Sequence, residues 1–246
     1  MKNAIGSFVL VFLLSSSPLL AAKDIAKETL SFAGKERTYY LYVPKSLKPD
    51  APAPVVVLFH GSNRNGLSLV EKWKKLADEE GVVLVGPDAT DTAFWQLKPD
   101  GPDFIKALIE QVSVRQPIQP RRMYLWGHSA GAGYAVILAM LESEYFAAAA
   151  IHAGMLGEQN HFVIDKAKRK IPIFIAIGTE DAQFPLDLVR GTRDALAAKG
   201  IPVEIDEIKG HNHWYYDLAP KINRKAWDFL KQHELPGDPK FQVYQR

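Results

Sequence analysis

Residues 127–131 read Gly-His-Ser-Ala-Gly and follow the apolar run Met123, Tyr124, Leu125, Trp126. A serine between two glycines where a buried strand turns into a helix is placed to act as a nucleophile, because the turn lifts its hydroxyl above the sheet edge. That geometry demands a strained backbone at Ser129 and no bulk at Gly127 and Gly131. A serine hydroxyl is a weak nucleophile at neutral pH, so it needs a base, and the base needs an acid to fix its tautomer. Both residue types follow in chain order. Residues 178–185 (Gly-Thr-Glu-Asp-Ala-Gln-Phe-Pro) offer Glu180 and Asp181, with Asp187 just beyond, and residues 210–216 (Gly-His-Asn-His-Trp-Tyr-Tyr) offer His211 and His213. His211 and His213 could also share a metal, but no third ligand of suitable spacing accompanies them, so no metal and no cofactor is expected.

Positioning such residues requires strands that end where the chemistry begins. Runs with no polar face at 55–59, 82–85, 147–151 and 171–177 predict central strands covered on both sides, and 203–208 adds another. Helical spacing, with Gly and Pro as punctuation, predicts helices at 69–80, 102–116, 130–141, 186–199 and 220–231. Alternating segments 29–32 and 38–43 predict an antiparallel hairpin at the sheet edge. Strands and helices alternate throughout, which gives an α/β class with a doubly wound, mostly parallel sheet in one domain. The weakly patterned stretch after His152 holds at most a short helix near 164–169, so any lid is minimal and the site open. The basic cluster at 166–170 reads as a solvated helix face, and the polar tail 234–246 is expected to be loosely attached.

Residues 178–185 and 210–216 together match Gly-x-x-Asp-x-x-Phe-Pro followed by Gly-x-x-His-x-Tyr-Tyr. This pair resembles the acid and base loops of the α/β-hydrolase group that includes esterase D, feruloyl esterases and polyhydroxybutyrate-depolymerase-like esterases. The resemblance implies the α/β-hydrolase fold, with Ser129 as nucleophile, Asp181 as acid and His213 as base. It also implies that the backbone N–H groups of Ser62, in the His60-Gly61-Ser62 turn, and of Ala130 hold the oxyanion. The implied reaction is hydrolysis of a small-molecule or polymeric carboxylic ester, of acylated-carbohydrate, feruloyl or short polyester type. Trp95, in the loop 88–100, and Trp214 are candidates to line the cleft. His60, His128, His152 and His161 read as local or supporting residues. Two features depart from many secreted members: the chain has no cysteine, and Asp100-Gly101-Pro102-Asp103 interrupts an acidic pair. They leave the substrate open. A serine peptidase of prolyl-oligopeptidase type uses the same residue order, and a binding protein on the same fold is the non-catalytic alternative.

Length and composition narrow the remaining classes. At 246 residues, 47% of them hydrophobic, the chain can fill one sizeable core. A formal charge of +2, without a dense basic stripe, gives no case for nucleic acid. Residues 1–22 have a basic start at Lys2, an apolar stretch, Pro18 and small residues at 21 and 22, the layout of a secretory signal peptide. The chain is therefore expected to be secreted or periplasmic, with residues 23–246 forming the single domain and no stable membrane anchor after cleavage.

Overall fold

The computed structural model describes residues 25–242, and the expected leader at 1–22 lies outside them. An eight-stranded sheet with the order β1-β2-β4-β3-β5-β6-β7-β8 organises the chain. Its strands are β1 (Ala26–Phe32), β2 (Lys35–Tyr42), β3 (Ala53–Phe59), β4 (Val83–Pro87), β5 (Ile118–His128), β6 (Ala148–His152), β7 (Ile173–Gly178) and β8 (Val203–Ile208). β1 pairs with β2, and β2 with β4, antiparallel; every other neighbour is parallel. This is the expected doubly wound, mostly parallel sheet with its N-terminal hairpin at one edge.

Burial follows from the residue pattern. Every residue of β3, β6 and β7 is buried, as runs without a polar face require. Edge strand β1 alternates between half-buried and exposed residues. One face is covered by α1 (Gly66–Glu80) and α6 (Tyr215–Leu230), whose Trp73, Leu76, Ile222 and Trp227 pack on Tyr124 and Trp126. The opposite face carries α3 (Pro102–Arg115), α4 (Ala130–Leu141) and α5 (Leu186–Ala198), which contribute Phe104, Leu108, Ala135, Leu138 and Leu196. The parallel strands all run the same way, so the loops that follow β3, β5, β7 and β8 gather at one rim.

Five expectations need correcting. The loop after β4 contains a short helix, α2 (Leu97–Asp100). The stretch near 164 is a 3-10 helix over Glu158–Lys166 that stops before the basic cluster ends, and Arg169 of that cluster folds inward to donate to the carbonyls of Ser143, Phe146 and Ala147. α6 begins at Tyr215, ahead of Pro220, which lies inside it. A proline there leaves one carbonyl of the first turn without its donor, but the helix start buries Tyr215 against Trp126 and His128, and that burial outweighs the lost bond. The tail is docked: Leu235 is buried and exchanges hydrogen bonds with Arg121, while Phe241 packs edge-on to Tyr145.

Candidate active site

Ser129 sits between β5 and α4 with φ 55° and ψ −120°, a backbone region that costs a non-glycine residue of order 1–3 kcal/mol. The turn is tight enough that a Cβ at Gly127 would lie 2.1 Å from the Gly131 carbonyl oxygen, and one at Gly131 would lie 2.1 Å from that of Phe59. Only glycine fits either place. The Ser129 N–H donates to the His152 carbonyl at 3.1 Å, which pins the turn to β6.

Two loops complete the arrangement. Asp181 lies three residues beyond the end of β7, and its Oδ1 accepts the N–H groups of Gln183 and Phe184 at 2.8 and 2.9 Å, so the carboxylate is fixed by its own turn. Its Oδ2 is 2.9 Å from His213 Nδ1, and His213 Nε2 is 3.0 Å from Ser129 Oγ. An ionised carboxylate can only accept, so the His213 proton sits on Nδ1 and Nε2 is left to accept from the Ser129 hydroxyl. The sheet thus brings Ser129, Asp181 and His213 into one hydrogen-bonded chain. The competing residues stand outside this chain: His211 meets His152, Asp187 pairs with Arg190, and Glu180 is exposed.

The loop after β3 closes on the serine from the other side. A Cβ on Gly61 would stand 3.1 Å from Ser129 Cβ, so Ser62 is carried next to Ser129. Ala130 is the first residue of α4, where backbone N–H groups have no intrahelical partner. His60 stiffens this loop in a single tautomer: Nε2 accepts from the Ala89 N–H at 3.1 Å, so Nδ1 carries the proton donated to the Gly61 carbonyl at 2.9 Å. Burial lowers the His60 pKa, in keeping with that neutral form.

The two tryptophans differ. Trp95 is half-buried; its indole N–H donates to the His60 carbonyl at 2.9 Å and its ring stacks on Tyr134 at 5.1 Å, so it braces the loop that holds Ser62. Trp214 is 44% exposed beside His213 and faces the Arg64 guanidinium at 5.3 Å. Phe184 stacks on the His213 ring at 5.6 Å.

Sequence reasoning missed a buried ion pair. Asp100 is fully enclosed; its Oδ1 accepts from Arg37 at 2.7 Å and from the Thr90 hydroxyl and N–H, and its Oδ2 accepts from the Gln96 N–H. It fastens the loop between β4 and α3 that supports Trp95. Among the described residues, no group of three or more His, Cys, Asp or Glu side chains is placed to hold a metal ion, and no helix is long and apolar enough to cross a membrane.

The model of the Dienelactone hydrolase family matches residues 87–227, which span the serine turn and both partner loops. The chain belongs to the dienelactone hydrolase family. Within the wider α/β-hydrolase esterase group, it is 29% identical over 162 residues to a bifunctional acetylxylan esterase/xylanase of Neocallimastix patriciarum, covering 64% of this chain and 23% of that one. It is 27% identical over 149 residues to a poly(3-hydroxybutyrate) depolymerase of Ralstonia pickettii, covering 50% of this chain and 30% of the relative. The chain therefore spans less than a third of either relative's length. A solved ferulic acid esterase shares the fold at a TM-score of 0.69 with 17% identity, covering 85% of this chain and 98% of that one. The family has the α/β-hydrolase fold expected from the two loop motifs.

Proposed function

We propose that the chain is an exported serine esterase whose catalytic residues are Ser129, His213 and Asp181. The observation that carries this reading is the hydrogen-bonded chain from Asp181 through His213 to a serine on a strained turn, with spacings of 2.9 and 3.0 Å. Ser129, giving its proton to His213 Nε2, attacks the ester carbonyl and forms a tetrahedral intermediate. The N–H groups of Ser62 and Ala130 receive the developing oxyanion. His213 then protonates the departing alcohol, and water, deprotonated by the same imidazole, releases the acid from Ser129. Asp181 keeps the His213 ring in the required tautomer and stabilises it when charged.

Acylated carbohydrate, feruloyl and short polyester compounds are the substrate classes we assign. The acetylxylan esterase and polyhydroxybutyrate depolymerase relatives support that choice, as does the exposed Trp214 ring, which offers an apolar face to a sugar or aryl group. Export rests on the residues 1–22 pattern. Turnover of p-nitrophenyl acetate, p-nitrophenyl butyrate and methyl ferulate by the mature chain, beside Ser129→Ala, tests the reading. The wild type should hydrolyse at least one ester, and Ser129→Ala should fall by about 10⁶ in kcat. Hydrolysis that survives the substitution, or a wild type inert on all three, would remove the proposal.

A further inference from the structure

Three imidazoles form a buried row beneath the site. His128 and His152 end β5 and β6 and are paired across the sheet. Their Nδ1 atoms are 3.1 Å apart, and His152 Nε2 is 3.1 Å from His211 Nε2. The three residues are 4%, 0% and 6% exposed. His128 precedes Ser129, and His211 lies two residues before His213, so the row runs from the strand of the serine to the loop of the base.

Proton counting defines what the row can do. Each nitrogen–nitrogen contact holds one proton, and a neutral imidazole has one N–H, so His152 donates to one neighbour and accepts from the other. Burial favours the neutral state for all three, lowering His128 to about 3, His152 well below its usual value and His211 in the same direction. His213 and Arg64 add to the lowering at His128, while Asp181 opposes it there; at His211, Asp181 and Asp217 oppose it. Tyr215 packs against both strand-end rings.

The other fastenings of the base loop lead elsewhere. The Glu180 N–H donates to the His211 carbonyl and the Gly210 N–H donates to Thr179 Oγ1, both at 2.9 Å, and these tie the base loop to the acid loop. Among the described residues, the His211 to His152 bond is the one directional link from residues 209–214 to the strand ends next to the serine, apart from the bond between His213 and Ser129.

We infer that His152 is a positioning residue, which through its bond to His211 holds the 209–214 loop so that His213 stays within hydrogen-bond reach of Ser129. The inference rests on the reading of Ser129 and His213 as nucleophile and base. Two amide variants separate its links, because an Asn amide occupies the place of the ring Nδ1 and a Gln amide that of Nε2. His152→Asn keeps the bond to His128 and drops that to His211; His152→Gln does the reverse.

The experiment measures kcat and KM on p-nitrophenyl acetate, the rate of fluorophosphonate labelling and the thermal midpoint for wild type, both variants and Ser129→Ala. His152→Gln should stay within about threefold of wild-type kcat, whereas His152→Asn should lose about 10–100-fold in kcat and labelling rate with KM nearly unchanged. A merely structural role would lower both midpoints without separating the two kcat values, and equal kcat in the two variants overturns the inference. A wild type that neither turns over nor labels overturns the catalytic reading and the inference with it. A labelled, active wild type with equivalent variants overturns the inference alone.

Discussion

The two sides of the serine are held in place by different means. On the side of Asp181 and His213, Asp181 is fixed by N–H groups two and three residues along its own turn, and the His213 loop is tied to the Asp181 loop by a backbone bond at 2.9 Å. On the side of the Ser62 loop, the fastening comes from distant side chains: Trp95 on the His60 carbonyl, and Arg37 on an Asp100 that lies 63 residues away in sequence. The first kind of support comes from backbone groups, partly within a single turn. The second puts a charged pair into the interior, where removing one partner strands the other. Damage on the first side should therefore appear as lost rate with the fold intact, and damage on the second as lost stability.

Between the two sides, the larger effect should come from Asp181→Asn. An amide in place of the carboxylate favours the wrong His213 tautomer, so kcat should fall by about 10⁴. Denaturant unfolding should stay close to wild type, and a matching loss of stability would erase the contrast between the two sides. Arg37→Met comes next. It leaves the Asp100 carboxylate enclosed without its cation and should cost about 3–5 kcal/mol of unfolding free energy. Adding Asp100→Asn should recover part of that loss in urea titrations, whereas a double variant no better than the single one would deny the ion pair its role.

The smallest effect is the share that one histidine of the row contributes to the pH dependence of stability. His128, His152 and His211 have lowered pKa values in the fold, so below about pH 6.5 the unfolded chain binds protons that the folded chain refuses. Stability is then fully present above that pH and declines as the pH falls toward about 3, the folded value of His128. Each histidine contributes a slope of up to about 1.4 kcal/mol per pH unit within its own window. Thermal midpoints of wild type and His152→Gln between pH 7 and pH 4.5 measure it, and the variant should show the shallower decline.

Legibility followed the same division. The serine turn and the acid and base loops could be read because each is a contiguous segment whose glycines and apolar run report its geometry. The sheet could be read because its central strands are built on runs without a polar face, such as 55–59, 83–85 and 173–177. Arg37 and Asp100 could not be paired in advance: each looks like a surface charge, one in a hairpin and one before Gly-Pro, and only the fold brings them to 2.7 Å. The histidine row was hidden for a related reason, although there was a signal. β3, β5 and β6 each finish on an apolar run closed by a histidine at 60, 128 or 152, and a repeated polar residue at parallel strand ends points to one shared layer. Pro220 misplaced the start of α6 because local preference was weighed without the burial of Tyr215. The tail misled because Leu235 and Phe241 are isolated among polar residues, and the partners that receive them are nearly a hundred residues or more away.

That docked tail also decides how the molecule can be attached to anything else. Leu235 is anchored at Arg121, seven residues upstream of His128 on β5, and Gln242 is held at Leu141, the far end of α4 from the serine. At about 3.3 Å per strand residue and 1.5 Å per helix residue, the two anchors lie roughly 26 and 18 Å from Ser129, on the opposite end of the sheet. A surface or a tag joined beyond residue 242 would be tethered behind the molecule, leaving the rim that carries Ser129 facing outward.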